Sequence, residues 1–383
     1  MFIIMSKEII YDCAIIGGGL AGLTLSIQLA DLGFKIILFE KEQYPFHKVC
    51  GEYISLESKD FLERIGLPYS SMNLPIIKKL VVTSPNGTFL KQDLPLGGFG
   101  ISRYKIDNDL KEIAILKAVT IIENCKAEDI AFENELFQIF TTTGEFKSKV
   151  CCAGFGKRSN LDVKWKRPFI TKSNNKLNNF IAVKYHIDTN FPADTIALHN
   201  FKDGYCGISK IEDNRYCLCY LTNAANLKKS NNSIPEMERN ILSRNPHLEN
   251  IFKNSNRLFK QPLSISQISF QQKSQVENHV ILIGDAAGMI TPLCGNGMSM
   301  AMHGSKIAAA LIVQFIKGDI TRHELENNYS KIWKKTFNAR IKTGRLVQRF
   351  FGKIWMTNLF VRAMKSMPAL TRWIIRKTHG DPF

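Results

Sequence analysis

The feature that most constrains the fold is an apolar run that leads into a glycine-rich turn near the start of the chain. Residues 9–16, IIYDCAII, have the length and composition of a buried parallel strand. Residues 17–22, GGGLAG, follow, and the apolar positions of the next segment recur at helical spacing. Gly17, Gly19 and Gly22 therefore form a GxGxxG pattern between a strand and a helix. Such a turn lets the backbone approach a pyrophosphate, whose charge the helix N-terminus stabilises.

A second apolar strand, which ends at an acidic residue, completes this unit. Residues 35–39, KIILF, are followed by Glu40, which lies 23 residues after Gly17. An acid at that position can hold the hydroxyl pair of a ribose, and no arginine cluster follows it to favour a 2′-phosphate. GxGxxG alone also occurs in ordinary tight turns, but its position within a βαβ unit favours a nucleotide site. We therefore predict Leu20, Ala21, Glu40 and Lys41, with the three glycines, as cofactor-binding residues.

A second glycine-rich segment lies late in the chain. Residues 279–283, HVILI, are largely apolar and lead into GDAAG, and GNGM at residues 295–298 begins a long helical pattern. An acid at a strand end can hydrogen-bond a ribityl chain, and a helix N-terminus beyond it can stabilise negative charge near a flavin ring. A plain strand–turn–helix with packing glycines is the alternative, which pairing with the first motif disfavours. The predicted cofactor-binding residues of this segment are Gly284, Asp285, Pro292, Gly295, Asn296, Gly297 and Met298.

The intervening sequence predicts where the nucleotide-binding domain is interrupted. Residues 80–94 have a hairpin pattern around Asn86-Gly87, residues 103–115 have a helical pattern, and residues 161–265 contain alternating runs typical of antiparallel strands. We predict an α/β fold in which a Rossmann-like βαβ domain carries an inserted antiparallel-sheet lobe and a helical C-terminal tail. The predicted boundaries are 1–75, 100–160 and 275–325 for the nucleotide-binding domain, 76–99 and 161–274 for the substrate lobe, and 326–383 for the basic tail.

The order of these motifs resembles the flavoprotein family of para-hydroxybenzoate hydroxylase and geranylgeranyl reductase. The resemblance rests on the first GxGxxG, on the later GDAAG…P…GxGM, and on KVCGE and ISRYKIDNDL between them. It is greatest for the geranylgeranyl-reductase-like branch and covers residues 10–315. It implies FAD as the cofactor, with the antiparallel lobe over the isoalloxazine ring, and a hydrophobic prenyl, polyene or aromatic small molecule as the substrate. NAD(P)H stays open as the electron donor.

The resemblance also implies roles for individual residues. The glycines of the first motif line the pyrophosphate, and Glu40 meets the adenosine ribose. Arg103, in SRYKID, lies near the ribityl and phosphate region, with a surface charge before a helix as the alternative. Asp285 binds the pyrophosphate or ribityl chain, and the backbone of residues 295–297 meets the flavin ring.

Departures from the family pattern bear on the reaction. Hydroxylases of this family carry an Asp-Gly pair where this chain has Ala153 and Gly154, and flavin halogenases carry WxWxIP, which is absent. The reductase branch has YxWxFP, of which GYCGIS keeps Tyr205 but lacks the tryptophan and proline. We therefore prefer reduction or dehydrogenation of a carbon–carbon bond. An NAD(P)H-dependent flavin monooxygenase is the nearest alternative, and a non-catalytic flavin-binding or membrane-surface scaffold is an alternative of another class.

The segment HKVCGE at residues 47–52, together with Tyr205, supplies the candidate catalytic residues. Hydride transfer to a carbon–carbon double bond needs a proton donor for the other carbon, and Cys50, Glu52, His47 and Tyr205 are the candidates. Each has a structural alternative, namely packing for Cys50, a loop cap for His47, an ion pair with a nearby lysine for Glu52, and a core position for Tyr205. No partner ligands lie at metal spacing and no CxxC occurs, so we predict neither a metal site nor a redox disulfide.

The positive charge of the chain is concentrated at its end. The formal net charge is +17, and residues 331–383 hold thirteen lysines or arginines and one acid. Apolar residues recur there at helical spacing. This predicts either helices packed on the cofactor domain or a basic amphipathic surface for anionic lipid or an acidic carrier protein. No nucleic-acid-binding module is visible, so we predict no nucleic-acid partner.

Cysteine usage and apolar runs bear on where the protein resides. The nine cysteines are scattered, no secretory signal pattern is visible, and no apolar run reaches about 18 residues. These features favour a reducing cytoplasm, with peripheral contact at the inner membrane face as an option. The sequence leaves the oligomeric state open.

Overall fold

The computed structural model describes residues 9–171, 179–351, 353–378 and 380–383. Residues 1–8, on which the expectation of no secretory signal rests, lie outside the described residues. The strands are β1 (Ile10–Ile16), β2 (Ile36–Phe39), β3 (Tyr53–Ser55), β4 (Ile76–Thr83), β5 (Phe89–Gly100), β6 (Thr120–Ile122), β7 (Ala127–Glu133), β8 (Leu136–Thr141), β9 (Gly144–Ala153), β10 (Phe180–Asp188), β11 (Thr195–Phe201), β12 (Gly204–Lys210), β13 (Tyr216–Asn223), β14 (Asn256–Arg257), β15 (Leu263–Ile268), β16 (Val276–Glu277) and β17 (Val280–Leu282). The helices are α1 (Leu20–Ala30), α2 (Lys59–Arg64), α3 (Arg103–Leu116), α4 (Asn160–Lys164), α5 (Pro168–Thr171), α6 (Ala224–Lys229), α7 (Ile234–Asn240), α8 (Pro246–Lys253), α9 (Gly297–Lys317), α10 (Arg322–Phe350), α11 (Ile354–Ser366) and α12 (Pro368–Thr378).

The first sheet carries the glycine motifs from both ends of the chain. Its parallel strands lie in the order β6-β2-β1-β9-β17, so the first strand is central and its neighbours come from distant parts of the sequence. The residues of β2 and β17 are apolar and buried, as expected for parallel strands covered on both faces. Between α1 and α9, Thr24 Oγ1 lies 2.7 Å from Ser305 Oγ. The predicted α/β fold with a Rossmann-like domain is confirmed.

The second sheet is mainly antiparallel and is built from the interrupting segments. Its order is β14-β10-β13-β12-β11-β4-β5-β3, with β15 beside β10, and β11 runs parallel to β4. β4 and β5 form the predicted hairpin, whose turn contains Gly87 at φ +86. β12 and β13 pair around the predicted turn, in which Asp213 and Asn214 have positive φ. β3 lies within the first 75 residues yet pairs with β5 in this sheet. The domain boundaries given above stay a prediction.

Helix α9 begins at the second glycine motif and runs through the core. It is 21 residues long, its most apolar window has a mean hydropathy of 1.3, and half of that window is buried. By length and composition alone it is apolar enough to cross a membrane, a test that a buried core helix also passes. His303 and Lys306 interrupt its apolar residues, so the helix contains no uninterrupted apolar run of about 18 residues. In the structure it packs against α1 and α10.

The C-terminal helices pack on both sheets. Trp333, Phe337 and Ile341 of α10 recur every four residues, as the sequence predicts, and are buried in the core of the first sheet. α11 and α12 lie instead against β5 of the second sheet. Near the end of the chain, the ring of Phe383 stacks on that of His303 with centroids 4.3 Å apart. What the exposed basic side of these helices meets stays a prediction.

The difference in burial between two side chains of α10 predicts a large loss of stability for one substitution and a small change for the other. Ile341→Ala removes a buried side chain and is expected to lower the free energy of unfolding by about 3 kcal/mol, because a cavity replaces packed atoms. Leu346→Ala, the matched control, shortens a side chain that is 54% exposed, and we expect a change below about 0.5 kcal/mol. Urea unfolding measures both, and equal losses would contradict the packing of α10.

Candidate functional site

The first glycine motif forms a tight turn at the carboxyl end of β1. Gly17 has φ +100, and a Cβ built there would lie 2.6 Å from a carbonyl oxygen of the segment that follows β9. A Cβ built on Gly22 would lie 2.0 Å from the carbonyl oxygen of Gly17, so both positions require glycine. Helix α1 begins at Leu20, with Gly19 as its N-cap and no side chain capping it. The amides at this helix end are therefore available to an anion.

The acid at the end of β2 lies beside this turn. Glu40 is buried, and its Oε2 accepts a hydrogen bond from Gly18 N at 2.9 Å while its Oε1 accepts one from Glu42 N at 3.1 Å. This places the carboxylate next to the N-terminus of α1, where the sequence predicts that it meets a ribose. The side chain of Lys41 is 68% exposed and pairs with Glu42 at 3.5 Å, so its ammonium lies at the surface.

Two cations from different segments converge on the same turn. From a Cβ built on Gly19, Arg103 Nη2 lies at 3.5 Å and Lys48 Nζ at 3.7 Å. Arg103 donates to both carboxylate oxygens of Asp107, at 2.8 and 2.7 Å, and Lys48 Nζ lies 3.0 Å from that carboxylate. Burial acts to raise the pKa of Asp107, but Arg103 and Lys48 outweigh it, and the net pKa is lowered. Sequence reasoning missed Lys48, because a single lysine in a loop has no pattern.

Glu52 lies at the centre of a buried ion-pair network. Its Oε1 contacts Lys184 Nζ and accepts a hydrogen bond from Arg103 N at 2.8 Å, and its Oε2 lies 2.6 Å from His186 Nε2. Burial acts to raise the pKa of Glu52, but the charge of Lys184 and the hydrogen bond of His186 outweigh it, and the net pKa is lowered. Glu52 therefore stays ionised at neutral pH. An ionised carboxylate has no proton to give, so this environment disfavours Glu52 as the proton donor, and its catalytic role stays a prediction.

Side chains of the second sheet also hold the backbone that precedes Glu52. Three carbonyl oxygens of this segment each accept one hydrogen bond from a different strand. The pairs are Lys184 Nζ to Lys48 O at 3.1 Å, Cys217 Sγ to Cys50 O at 3.2 Å, and Ser209 Oγ to Gly51 O at 3.4 Å. Burial raises the pKa of Cys217 well above its usual value, so its thiol keeps the proton that it donates. The segment 48–52 is thus fixed to the second sheet along its length.

The second glycine motif meets the first. A Cβ built on Gly284 would lie 3.1 Å from the Cβ of Ala21, the second residue of α1. Three side chains donate to successive carbonyl oxygens of this turn, namely Lys273 to Asp285 at 2.8 Å, Arg167 to Ala286 at 3.1 Å and Gln275 to Ala287 at 3.0 Å. Burial lowers the pKa of Lys273 to about 8. Sequence reasoning missed these three residues, because none belongs to a recognisable motif: Lys273 and Gln275 lie 12 residues before their acceptors, and Arg167 lies 119 residues before its acceptor.

A cavity that is open to solvent lies between segment 48–52, the second sheet and the second glycine motif, and its empty space, with the opening to solvent included, is about 1040 Å³. At its wall, Cys50 Sγ lies 3.6 Å from Met298 Sδ. Asn296 is buried beside it, where its Nδ2 donates to the Thr378 carbonyl oxygen at the end of α12 at 2.5 Å. The predicted site residues in the lining are Cys50, Glu52, Arg103, Tyr205, Asp285, Pro292, Gly295, Gly297 and Met298.

A second cavity adjoins the first beneath α11 and α12, and its empty space, with the opening to solvent included, is about 800 Å³. Its walls are almost entirely apolar and come from β4, β5, β11 and the C-terminal helices. The two cavities share the lining residues Tyr53, Ile196, Leu198 and Gly295. Together the two cavities extend from the second glycine motif to the C-terminal helices, and the part beneath those helices is apolar.

His47 lies outside the lining of both cavities. Its ring stacks on Tyr104 with centroids 4.6 Å apart and also contacts Phe259 and His186. Burial, aided by the charge of Lys184, lowers the pKa of His47 to about 4. The ring packs in this aromatic cluster instead of lining a cavity, and the catalytic role of His47 stays a prediction. Among the described residues, no group of three or more His, Cys, Asp or Glu side chains is arranged to hold a metal ion.

Comparison with known proteins agrees with this architecture. A family model described as an NAD(P)-binding Rossmann-like domain matches residues 15–49. The chain is 24% identical over 381 residues to conditioned medium factor receptor 1 of Dictyostelium discoideum, across 90% of this chain and 71% of the relative. It is 26% identical over 350 residues to digeranylgeranylglycerophospholipid reductase of Methanococcus vannielii, across 85% of this chain and 82% of the relative.

Solved structures show the same fold at low sequence identity. The flavin-dependent brominase Bmp2 superposes with a TM-score of 0.78 at 21% identity, over 97% of this chain and 93% of that chain. The halogenase PltM, in complex with phloroglucinol and FAD, superposes with a TM-score of 0.75 at 16% identity, over 96% of this chain and 82% of that chain. The flavin-dependent halogenase CmlS superposes with a TM-score of 0.74 at 17% identity, over 88% of this chain and 63% of that chain. The chain has the fold of FAD-dependent oxidoreductases and halogenases.

The buried ion pair of Glu52 and Lys184 predicts a large loss of stability when the charge of Glu52 is removed. Glu52→Gln leaves Lys184 buried without its counter-ion, and we expect the free energy of unfolding to fall by about 3–5 kcal/mol at pH 7. Folding lowers the pKa of Glu52, so its stabilising contribution is present above the unfolded pKa of about 4.3 and is lost as pH falls through the folded pKa. The difference in the free energy of unfolding between wild type and Glu52→Gln is therefore expected to decrease below about pH 4.

Asp194→Asn is the matched control for this substitution. Asp194 pairs with Lys79 at 2.7 Å, but both side chains are largely exposed, so water screens the pair and a much smaller loss is expected. Urea unfolding at pH 7 and in mild acid compares the two variants. Equal losses at pH 7 would contradict the structural role assigned to Glu52.

Proposed function

We propose that the protein is an FAD-dependent oxidoreductase that reduces or dehydrogenates a carbon–carbon bond in a hydrophobic prenyl, polyene or aromatic molecule. The observation that carries the proposal is the apolar cavity that adjoins the candidate flavin site. Similarity to a digeranylgeranylglycerophospholipid reductase over 85% of the chain supports the prenyl class. Among these substrates, an extended prenyl chain makes the fullest use of two adjoining cavities.

The residues around the first glycine motif fit FAD. The uncapped amides at the start of α1, with Lys48 and Arg103 beside them, supply donors and positive charge for a pyrophosphate. The buried carboxylate of Glu40 supplies acceptors for ribose hydroxyl groups. Asn296 Oδ1 is buried and accepts no hydrogen bond from the described residues, as expected for an atom that accepts from a bound group. FAD bound here supplies a ring that accepts or donates hydride.

The apolar walls determine which substrates gain from binding. Each square ångström of apolar surface that leaves water contributes about 25 cal/mol, so a long unsaturated chain is stabilised in the second cavity. Leu198 and Ile196 line both cavities and therefore lie where such a chain passes from one to the other. Exclusion of water by these walls also protects a reduced cofactor from side reactions.

Two of the predicted proton donors remain in position. Cys50 and Tyr205 both line the first cavity, whereas Glu52 is ionised within its ion-pair network and His47 lies outside. We assign the proton that completes reduction of a double bond to Cys50 or Tyr205, with the other residue shaping the wall. The backbone of Cys50 is held by Cys217, which fixes the position of its side chain.

The second candidate function is an NAD(P)H-dependent flavin monooxygenase acting on an aromatic substrate. The shared fold with flavin-dependent halogenases favours it, since one of them, PltM, was solved in complex with FAD and the aromatic compound phloroglucinol. Ala153, which replaces the aspartate of the hydroxylase pattern, disfavours it. A non-catalytic flavin-binding scaffold is distinguished from both by the absence of any turnover.

The proposed cofactor site predicts that Lys48 and Lys41, which lie in the same loop region, differ in how much they contribute to the affinity for FAD. Lys48→Met removes one of the two cations beside the turn, and we expect FAD to bind about tenfold more weakly, which corresponds to the loss of one charge-assisted hydrogen bond. Lys41→Met, the control, removes a cation that lies at the surface, and we expect a change below about twofold. Titration of the apoprotein with FAD, followed by flavin fluorescence, measures both. Equal effects would contradict the assignment of Lys48 to the phosphates.

The proposed reaction is tested by anaerobic reoxidation. The FAD-loaded protein is reduced with NADPH, NADH or dithionite and is then mixed with a polyprenyl lipid, with a short aromatic compound, or with oxygen. We expect the polyprenyl lipid alone to reoxidise the flavin without oxygen and to gain two hydrogens, seen by mass spectrometry. Oxygen-dependent hydroxylation of the aromatic compound, with no reaction of the polyprenyl lipid, would instead establish the monooxygenase.

A further inference from the structure

The last two helices have inner faces that close the apolar cavity. Phe360 and Met364 of α11 and Ile374 and Ile375 of α12 all line that cavity. Asn296, beside the candidate flavin site, donates to the last turn of α12 at 2.5 Å. The two helices therefore cover the proposed substrate space, and α12 is hydrogen-bonded to Asn296 beside the candidate flavin site.

The outer faces of the same helices expose large apolar side chains. On α11, Trp355 is 66% exposed and Leu359, one helical turn later, is 61% exposed. On α12, Trp373 is 55% exposed. Ile354, Met367 and Leu370 are also exposed, so the apolar surface continues across the junction between the helices. A cluster of this kind, in contrast to scattered single residues, is typical of a surface that meets an apolar phase.

Cations are interspersed with these apolar residues along α11 and α12. Between residues 353 and 378 the chain has six lysines or arginines and no aspartate or glutamate. All six are exposed, and Lys377 Nζ lies 5.9 Å from the ring centroid of Trp373. Tryptophan with neighbouring lysine or arginine is the composition found where proteins meet the headgroup layer of a membrane.

We propose that the outer faces of α11 and α12 dock on an anionic lipid surface, from which the hydrophobic substrate enters the cavity beneath them. The tryptophan and leucine side chains enter the headgroup layer while the cations meet lipid phosphates. An acidic carrier protein matches the charge but gives the exposed tryptophans no apolar phase to enter. This inference rests on the proposed function for the identity of the substrate, but docking itself requires no turnover.

Vesicle sedimentation tests the docking directly. The full chain, loaded with FAD, is mixed with sucrose-filled vesicles of phosphatidylcholine alone or with about one third phosphatidylglycerol. We expect binding to the anionic vesicles, little binding to the neutral ones, and a steep loss of binding as salt is raised. Equal binding to both vesicle types, or binding to neither, would overturn the inference.

Two exposed leucines provide a matched pair of variants. Leu359→Ser is expected to weaken binding to anionic vesicles about tenfold, because an apolar side chain no longer enters the lipid. Leu32→Ser, at the end of α1, alters a leucine with the same 61% exposure but far along the chain from the tail, and binding is expected to stay unchanged. Urea unfolding checks that both variants keep wild-type stability. Equal effects of the two substitutions would contradict docking through α11.

Two further outcomes separate the possible partners and the reaction. Binding of a purified acidic acyl carrier protein that Leu359→Ser abolishes, without vesicle binding, would replace the lipid surface by a protein partner and overturn the inference. Normal vesicle binding with no reduction of any polyprenyl lipid would uphold docking and overturn the proposed reaction. Loss of turnover in Leu359→Ser on vesicle-borne substrate, with turnover retained on detergent-dispersed substrate, supports delivery through this surface.

Discussion

The buried contact between Glu52 and Lys184 is the interaction on which the geometry of the site depends. Glu52 ends the loop that follows the first βαβ unit, and Lys184 lies on β10 of the second sheet, so the pair joins the two halves of the fold. Both side chains are fully buried, and replacing such a pair by apolar residues can leave stability unchanged, whereas removing one charge leaves the other without compensation. The pair therefore specifies how the loop sits on the sheet. Glu52 also adopts φ +54, a conformation that its surrounding hydrogen bonds enforce.

The loop fixed in this way connects the two chemical ends of the proposed cofactor site. Lys48, at its start, lies beside the amides of α1, and Cys50, two residues later, lies in the wall of the first cavity. The three carbonyl hydrogen bonds from the second sheet hold the residues between these points. A shift of the loop would displace the phosphate-binding cation and the cavity wall together. Binding of the cofactor and shaping of the substrate space are thus consequences of one docking arrangement.

Sequence reasoning succeeded where the relevant contacts are local and failed where they are distant. The strand–glycine–helix pattern at residues 9–22 and the helix near 103–115 depend on neighbouring residues, and both were predicted with their approximate boundaries. The strand–glycine pattern of both motifs also predicted that they belong to one discontinuous nucleotide-binding domain. The buried partner of Glu52 was not predicted, because Lys184 lies on β10, far along the chain. Arg167, Lys273 and Lys184 carry no local signal, since an isolated basic residue looks the same whether it is exposed or buried.

The position of the flavin ring tests this account most directly. A crystal structure of the protein reconstituted with FAD is predicted to place the pyrophosphate at the start of α1, beside Lys48 and Arg103. It is predicted to place the ring between Cys50 and the segment 295–298, with one face open to the apolar cavity beneath α11 and α12. A ring held elsewhere, or a ring whose open face meets only solvent, would contradict the link between the loop, the cofactor and the substrate space.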